Sequence, residues 1–199
     1  LVNWTNRLPP FRALLEAVLG VDRRRNLPLF HLETFRRWWD WRGPKARSAG
    51  RVALFYTCSV NYNEPQIGKA AVKVLEKNGF EVVCPEQICC GMPHMDAGDM
   101  SQAQAAAARN VARLLPFALS SVPIIALGPT CSFMLKKEWP EYLGESARAV
   151  ANASFDLMEY LFNLRKQKRL REDYTTDVGS VGYHLPCHLK IQNIGYRSR

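Results

Sequence analysis

Six cysteines, at positions 58, 84, 89, 90, 131 and 187, are the residues of this chain best equipped for chemistry. A thiolate is a nucleophile, a redox group and a soft metal ligand. Cys89 and Cys90 are adjacent, so one short turn carries two sulfurs. Gly91 relieves crowding there and offers a backbone N–H to a bound sulfur. Neighbouring cysteines make a poor disulfide, because so small a ring strains the peptide bond. The spacing is neither the paired CxxC knuckles of a zinc ribbon nor the compact cysteine run of a ferredoxin.

An even cysteine count would suit a disulfide framework in a secreted protein. No secretory signal is visible, and a chain of 199 residues with 47% hydrophobic residues needs no such staples. The compartment expected is therefore reducing and cytoplasmic, where such a set of thiols means metal or redox chemistry. Several thiolates packed together repel one another. A metal or iron–sulfur cluster removes that cost by fixing the deprotonated form. The plainer alternative is a scatter of buried thiols, since free cysteine is among the most buried residue types.

Strand–helix alternation supplies the frame. Residues 51–56 form an apolar run rich in strand formers, and Pro65 opens a helix lined by Ile67, Ala70, Ala71, Val74 and Leu75. Residues 80–84 make a second strand, completing a parallel βαβ unit. A loop follows to about Gly98. An Ala-rich helix runs from Asp99 to about Leu115, where Pro116 disturbs it. Residues 122–127 predict a third strand, residues 154–168 a helix, and Val181–His184 a fourth strand. The pattern is α/β: an open, mostly parallel sheet with flanking helices, preceded by a helical N-terminal segment. Cys58 follows the first strand, Cys89 and Cys90 the second, Cys131 the third and Cys187 the fourth. In open α/β sheets the loops at the carboxyl ends of parallel strands make the binding crevice, so these thiols are expected to converge there. Cys84, at a strand end, reads as a core thiol.

Residues 1–49 are a basic, Trp-rich prelude ending in a small, polar linker. Its segment with Trp38, Trp39 and Trp41 among Arg36, Arg37 and Arg42 suits either an anionic membrane surface or a cover over the sheet. Lys+Arg 27 against Asp+Glu 18 gives a net charge of +9, which fits nucleic acid, anionic lipid or an acidic partner. No nucleic-acid-binding signature accompanies it, so no nucleic-acid partner is expected. No apolar run approaches the ~20 residues of a spanning helix. No Walker loop, GxGxxG or GxSxG motif is present. The missing initiator Met and a C-terminus at residues 196–199 that closes no element read as a piece of a longer polypeptide.

Cys58, Ile88-Cys-Cys-Gly-Met-Pro93, Gly128-Pro-Thr-Cys131 and Tyr183-His-Leu-Pro-Cys-His-Leu-Lys190 together resemble the cysteine-rich CCG domain. That domain occurs in the B subunit of heterodisulfide reductase, in glycolate oxidase and lactate-utilisation iron–sulfur subunits, and in the C subunit of anaerobic glycerol-3-phosphate dehydrogenase. The likeness extends furthest with the last branch, through the prelude Asn6-Arg7, Arg12, Leu27-Pro28 and Thr34-Phe35-Arg36, through Asn61, Asn63-Glu-Pro65 and through Leu135–Pro140. The resemblance implies tandem CCG modules: the prelude at 1–49, a first module at 50–178, and the start of a second at 179–199 opened by Cys187. It further implies a cofactor held by Cys58, Cys89, Cys90, Cys131 and Cys187. Met134 stands where the family motif has a further cysteine. A conventional [4Fe–4S] cluster on Cys58, Cys89, Cys90 and Cys131, or a vestigial site, is then expected rather than a five-cysteine fused cluster.

The function expected from this resemblance is an electron-transfer component of an oxidoreductase, with anaerobic respiration as its setting. It would relay electrons between a flavin dehydrogenase and a quinone or other redox carrier, peripheral on the inner face of the cytoplasmic membrane. A heterodisulfide or thiol–disulfide reductase module and a non-redox scaffold are the alternatives. His94, His184 and His188 are either iron ligands or hydrogen-bonding neighbours. Glu64 and Asp96 are acid–base candidates that helix capping explains as well.

Overall fold

The structure is a computed structural model that describes residues 2–173, 175–177 and 179–195. The expected element-free end at 196–199 lies outside the described residues. A four-stranded, wholly parallel sheet in the order β2-β1-β3-β4 forms the centre. Its strands are β1 (Arg51–Phe55), β2 (Glu81–Val83), β3 (Ile124–Ala126) and β4 (Ser154–Asp156). The chain moves outward from β1 to β2, then returns past β1 to β3 and β4. Strand order therefore reverses between β1 and β3, the place where an open α/β sheet leaves a crevice at its carboxyl ends.

Both faces of β1 are buried, as helices on both sides of a parallel sheet require. Ala53 and Phe55 point into one layer with Leu114, Ile124, Ala126, Met134 and Trp139. Val52 and Leu54 point into the other with Phe35, Trp39, Leu75, Ile125 and Tyr160. The alternation follows from the two-residue repeat of a strand.

The N-terminal segment holds α1 (Val2–Thr5), α2 (Pro9–Leu19) and α3 (Phe35–Arg42). In α3, Thr34 caps the helix by accepting from the Arg37 N–H, and Phe35 and Trp39 are buried. Arg42 lies over the Trp38 and Trp39 rings at 5.3 and 5.9 Å and pairs with Glu76 at 2.5 Å. Here the Trp–Arg cluster covers the sheet layer, and Trp41, 87% exposed, and the exposed Arg37 are left for other contacts. The helical stripe of α2 is different. Its one buried residue is Arg12, while Leu14, Val18 and Leu19 face outward.

Between the strands run α4 (Cys58–Tyr62), α5 (Pro65–Lys77), α6 (Met92–Asp96), α7 (Met100–Leu119), α8 (Pro129–Phe133), a π-helical turn (Met134–Glu138), α9 (Trp139–Leu143) and α10 (Glu145–Ala153). After β4 come α11 (Leu157–Lys166) and α12 (Cys187–Ile191). Pro116 does not end α7, which continues to Leu119 with the proline inside its final turns, where one lost N–H is tolerated. The expected loop from 85 to 98 contains α6.

The fourth strand is a correction. Val181–His184 forms no strand, and Val181 is 74% exposed. The sheet instead takes Ser154–Asp156, in register with Ile124–Ala126. Residues 154–168 have the period of one helix, but Asp156 divides them. Its side chain accepts from the Met158 N–H, and Glu159 reaches back to the Asp156 N–H, a capping box that starts α11 one residue after the strand. Cys187 consequently follows no strand.

Candidate metal centre

Three loops bring four cysteines to the carboxyl edge of the sheet. Cys58 opens α4 just after β1, where Thr57 caps the helix by accepting from the Val60 N–H at 3.0 Å. Cys131 sits in α8 just after β3. These two central strands flank the reversal of strand order. Cys89 and Cys90 arrive from the loop after β2, β1's other neighbour.

The thiols interact in sequence, Cys58 with Cys89, Cys89 with Cys90, and Cys90 with Cys131. Cys58 is exposed, Cys89 half-buried, and Cys90 and Cys131 buried, so the row runs from solvent into the core. Hydrogen bonds from Cys58 and Cys90 hold the Cys89 thiol far below its ordinary range, and the Gly91 N–H and His94 add to this against burial. The same contact with Cys89, followed by burial and the charge of Cys89 and Cys131, holds Cys58 well above it. Cys90 is raised by its contacts with Cys131 and Cys89, then by burial. Ionisation is thus favoured at Cys89 and disfavoured at its neighbours Cys58 and Cys90. Among the described residues, no group of three or more His, Cys, Asp or Glu is placed to hold a metal ion.

Two buried side chains fix the vicinal pair. Asn110 of α7, 1% exposed, accepts from the Ile88 N–H at 2.9 Å and donates to the Ile88 and Cys89 carbonyls at 3.3 and 3.0 Å. Trp139 Nε1 donates to the Cys90 carbonyl at 3.0 Å. Sequence reasoning passes over Asn110. A signal is there, a polar residue on the stripe Ala103, Ala106, Ala107, Val111 and Leu114 that α7 buries. Trp139 stands out in the sequence only through the family resemblance.

Gly91 supplies the turn. Its φ is +97°, and an added Cβ would lie 3.0 Å from the Ala103 carbonyl oxygen on α7. Gly98 also has a positive φ, +77°, but nothing lies within 4 Å of its Cβ position. Gly91→Ala is therefore expected to cost about 1–2 kcal/mol more than Gly98→Ala, which carries the backbone strain without the collision. Urea unfolding of the two variants checks this; equal losses would show that the close approach to α7 is unimportant.

The other candidates fall outside the row. Cys84, half-buried beside the Val52–Leu75 layer, is raised well above the usual thiol range by burial. Cys187 is exposed at the start of α12. Its helix does dock on α8: His188 Nδ1 lies 2.9 Å from Thr130 Oγ1, its ring stacks on Phe133, and Gln192 donates to Ser132 Oγ at 3.1 Å. His184 is exposed. Glu64 occupies the N-cap of α5 without capping it by its side chain, and Asp96 ends α6. Met134 is fully buried in the layer that includes Cys90, Cys131 and Trp139.

A cavity of about 400 Å³ opens beside the outer end of the row, lined by Arg36, Tyr56, Cys58, Asn61, Gln87 and Cys89 among others. Gln87 Nε2 donates to the Tyr56 carbonyl, and the Arg36 N–H donates to Asn61 Oδ1 at 2.9 Å, which ties α3 to α4.

Residues 52–136, which hold all four cysteines of the row, match the family model of the cysteine-rich domain CCG. The chain belongs to the CCG family. Among curated relatives, the C subunit of anaerobic glycerol-3-phosphate dehydrogenase from Escherichia coli strain K12 is 34% identical over 197 residues, covering 96% of this chain and 48% of that protein. Lactate utilization protein A of Bacillus licheniformis is 30% identical over 146 residues, covering 70% of this chain and 58% of the relative. The B subunit of the fumarate reductase (CoM/CoB) of Methanothermobacter marburgensis is 31% identical over 140 residues, covering 70% and 26% respectively. This CCG chain spans about half the length of the first relatives it matches. No solved structure matches it. Among its described residues no helix is long and apolar enough to cross a membrane.

Proposed function

We propose that this CCG chain is an iron–sulfur electron-transfer module of an oxidoreductase, with Cys58, Cys89, Cys90 and Cys131 as the cluster ligands. The observation that carries this reading is the row of four interacting thiols brought by three loops to the strand-order reversal. Four thiols in contact cannot all ionise, because each new thiolate is repelled by the last. A polycation in their midst lifts that restriction, so the donor set fits an iron–sulfur cluster of the [4Fe–4S] type. Such a cluster would supply one-electron transfer. The chain's own part is to place the sulfurs through three loops and to exclude water from Cys90 and Cys131. Gly91 and Trp139 set the polarity around them, a main lever on cluster potential. Anaerobic reconstitution with iron and sulfide tests the proposal. Iron and sulfide bound in stoichiometric amounts, with an EPR signal that appears on reduction, support it; a folded chain that stays iron-free overturns it.

The Cys58–Cys89 thiol–thiolate contact, beside a 400 Å³ cavity, favours one rival: a dithiol that exchanges with a disulfide substrate. Iron content separates the two.

The wider setting we propose is a relay between a flavin dehydrogenase and a quinone or other carrier, at the inner face of the cytoplasmic membrane under anaerobic respiration. The names of the oxidoreductase subunits among the relatives support the first part. Outward-facing Trp4, Leu14, Val18 and Leu32, the last 92% exposed, support a lipid contact by the N-terminal segment. We further propose that Cys187 opens a second module, separate from this cluster. The full chain is expected to float with vesicles containing phosphatidylglycerol, and Leu14→Glu/Val18→Glu to remain in the pellet fraction. Flotation unaltered by the double substitution would remove α2 from the contact.

A further inference from the structure

We propose that the N-terminal segment carries an anion site, separate from the cysteines, that binds a phosphate group. The site is a cavity of about 580 Å³ whose lining includes Asn6, Arg7, Arg12, Arg23, Arg24 and Arg25 and no acidic residue. Two of these arginines are already neutralised, Arg23 by Glu16 at 2.5 Å and Arg24 by Asp22 at 2.8 Å. Among the described residues no carboxylate pairs with Arg7, Arg12 or Arg25.

Arg12 is the decisive group. It is 7% exposed, so its charge is almost wholly withdrawn from water. Its Nε and Nη2 donate to the carbonyls of Asp22, Arg23 and Arg25, which curls the 22–25 turn around it. Its Nη1 is buried and has no hydrogen-bond partner. A buried guanidinium with an unmet donor and no paired carboxylate is costly, and an oxyanion supplies both the missing acceptor and a partner charge.

The residue type narrows the ligand. Every basic side chain before Lys45, histidine apart, is arginine, so the cavity contains no lysine. A guanidinium presents a planar fork that matches two phosphate oxygens, whereas an ammonium is a point charge. The volume exceeds that of a bare phosphate ion and leaves room for the alcohol it esterifies. A soluble phosphate ester and an anionic lipid headgroup share this chemistry.

The test titrates the full chain with inorganic phosphate by calorimetry at low ionic strength. Arg7→Ala/Arg25→Ala is compared with Arg148→Ala/Arg171→Ala, which removes equal charge elsewhere. All four side chains are on exposed residues, so folding should persist, and circular dichroism confirms it. Saturable binding is expected, weakened at least about tenfold in the cavity variant and within about twofold of wild type in the other. No saturable binding, or equal weakening in both variants, overturns the proposal. Vesicles of phosphatidylglycerol separate the two sources. Flotation competed by free phosphate and lost in the cavity variant assigns a lipid headgroup; phosphate binding indifferent to vesicles assigns a soluble ester.

Discussion

Cys89→Ser is expected to reduce bound iron from about four atoms per chain to about a tenth of that or less. Cys89 is the pivot of the row, touching both Cys58 and Cys90, and it is the thiol the surroundings already hold in its ionised form. A serine hydroxyl titrates far above any cysteine and is a poor soft ligand, so one quarter of the donor set is lost without a change in shape. Because Cys89 is only half-buried, the substitution should leave the fold intact. Cys84→Ser and Cys187→Ser are the controls, and both should retain full loading. Iron and acid-labile sulfide assays on anaerobically reconstituted protein give the readout. Undiminished iron in Cys89→Ser, or an equal loss in Cys187→Ser, would move the centre away from the row.

Asn110→Leu should cost about 3 kcal/mol of stability, more than its conservative volume would indicate. The leucine leaves the Ile88 N–H and the Ile88 and Cys89 carbonyls without their partner at a site 1% exposed to solvent. Each stranded buried group costs about 1–3 kcal/mol, partly relieved by the apolar gain. Urea unfolding measures the loss. A second readout separates a positioning role from a merely structural one. Leu114→Ala on the same helix should lose a comparable ~2–5 kcal/mol by opening a cavity, yet keep its iron while folded. Asn110→Leu should release iron to a chelator several-fold faster under the same native conditions. Identical release from both would reduce Asn110 to a packing residue.

The parallel α/β design was legible because β1, α5 and β2 each carry a strong local signal: an apolar run, a proline-started amphipathic helix, a second apolar run. The convergence of Cys58, Cys89, Cys90 and Cys131 was legible for a topological reason, since every βα loop of a parallel sheet ends at the same edge. The last strand was not legible. Ser154, Phe155 and Asp156 have the helical spacing of the residues after them, and only pairing with β3 decides against it. Val181–His184 has the composition of a strand, but the place beside β3 is taken by β4. Asn110 and Trp139 escaped because a side chain that holds a distant loop declares itself only when the loop is seen beside it. The stripe of α2 misled in the opposite sense: its period is that of a buried face, and the fold buries only Arg12.

The ordering of strands has a consequence for biogenesis. Cys58 and Cys131 become neighbours only after β3 has been inserted beside β1, a late event in chain collapse that must close a long loop. A cluster on these cysteines, as proposed, would therefore not nucleate this domain as zinc nucleates a finger, whose ligands lie close in sequence. The chain would then reach its shape unaided on the strength of its two apolar layers, and metallation would be a post-folding delivery. Loss of the inorganic core under oxygen would then leave a competent vessel for repair in place of an unfolded chain destined for proteolysis.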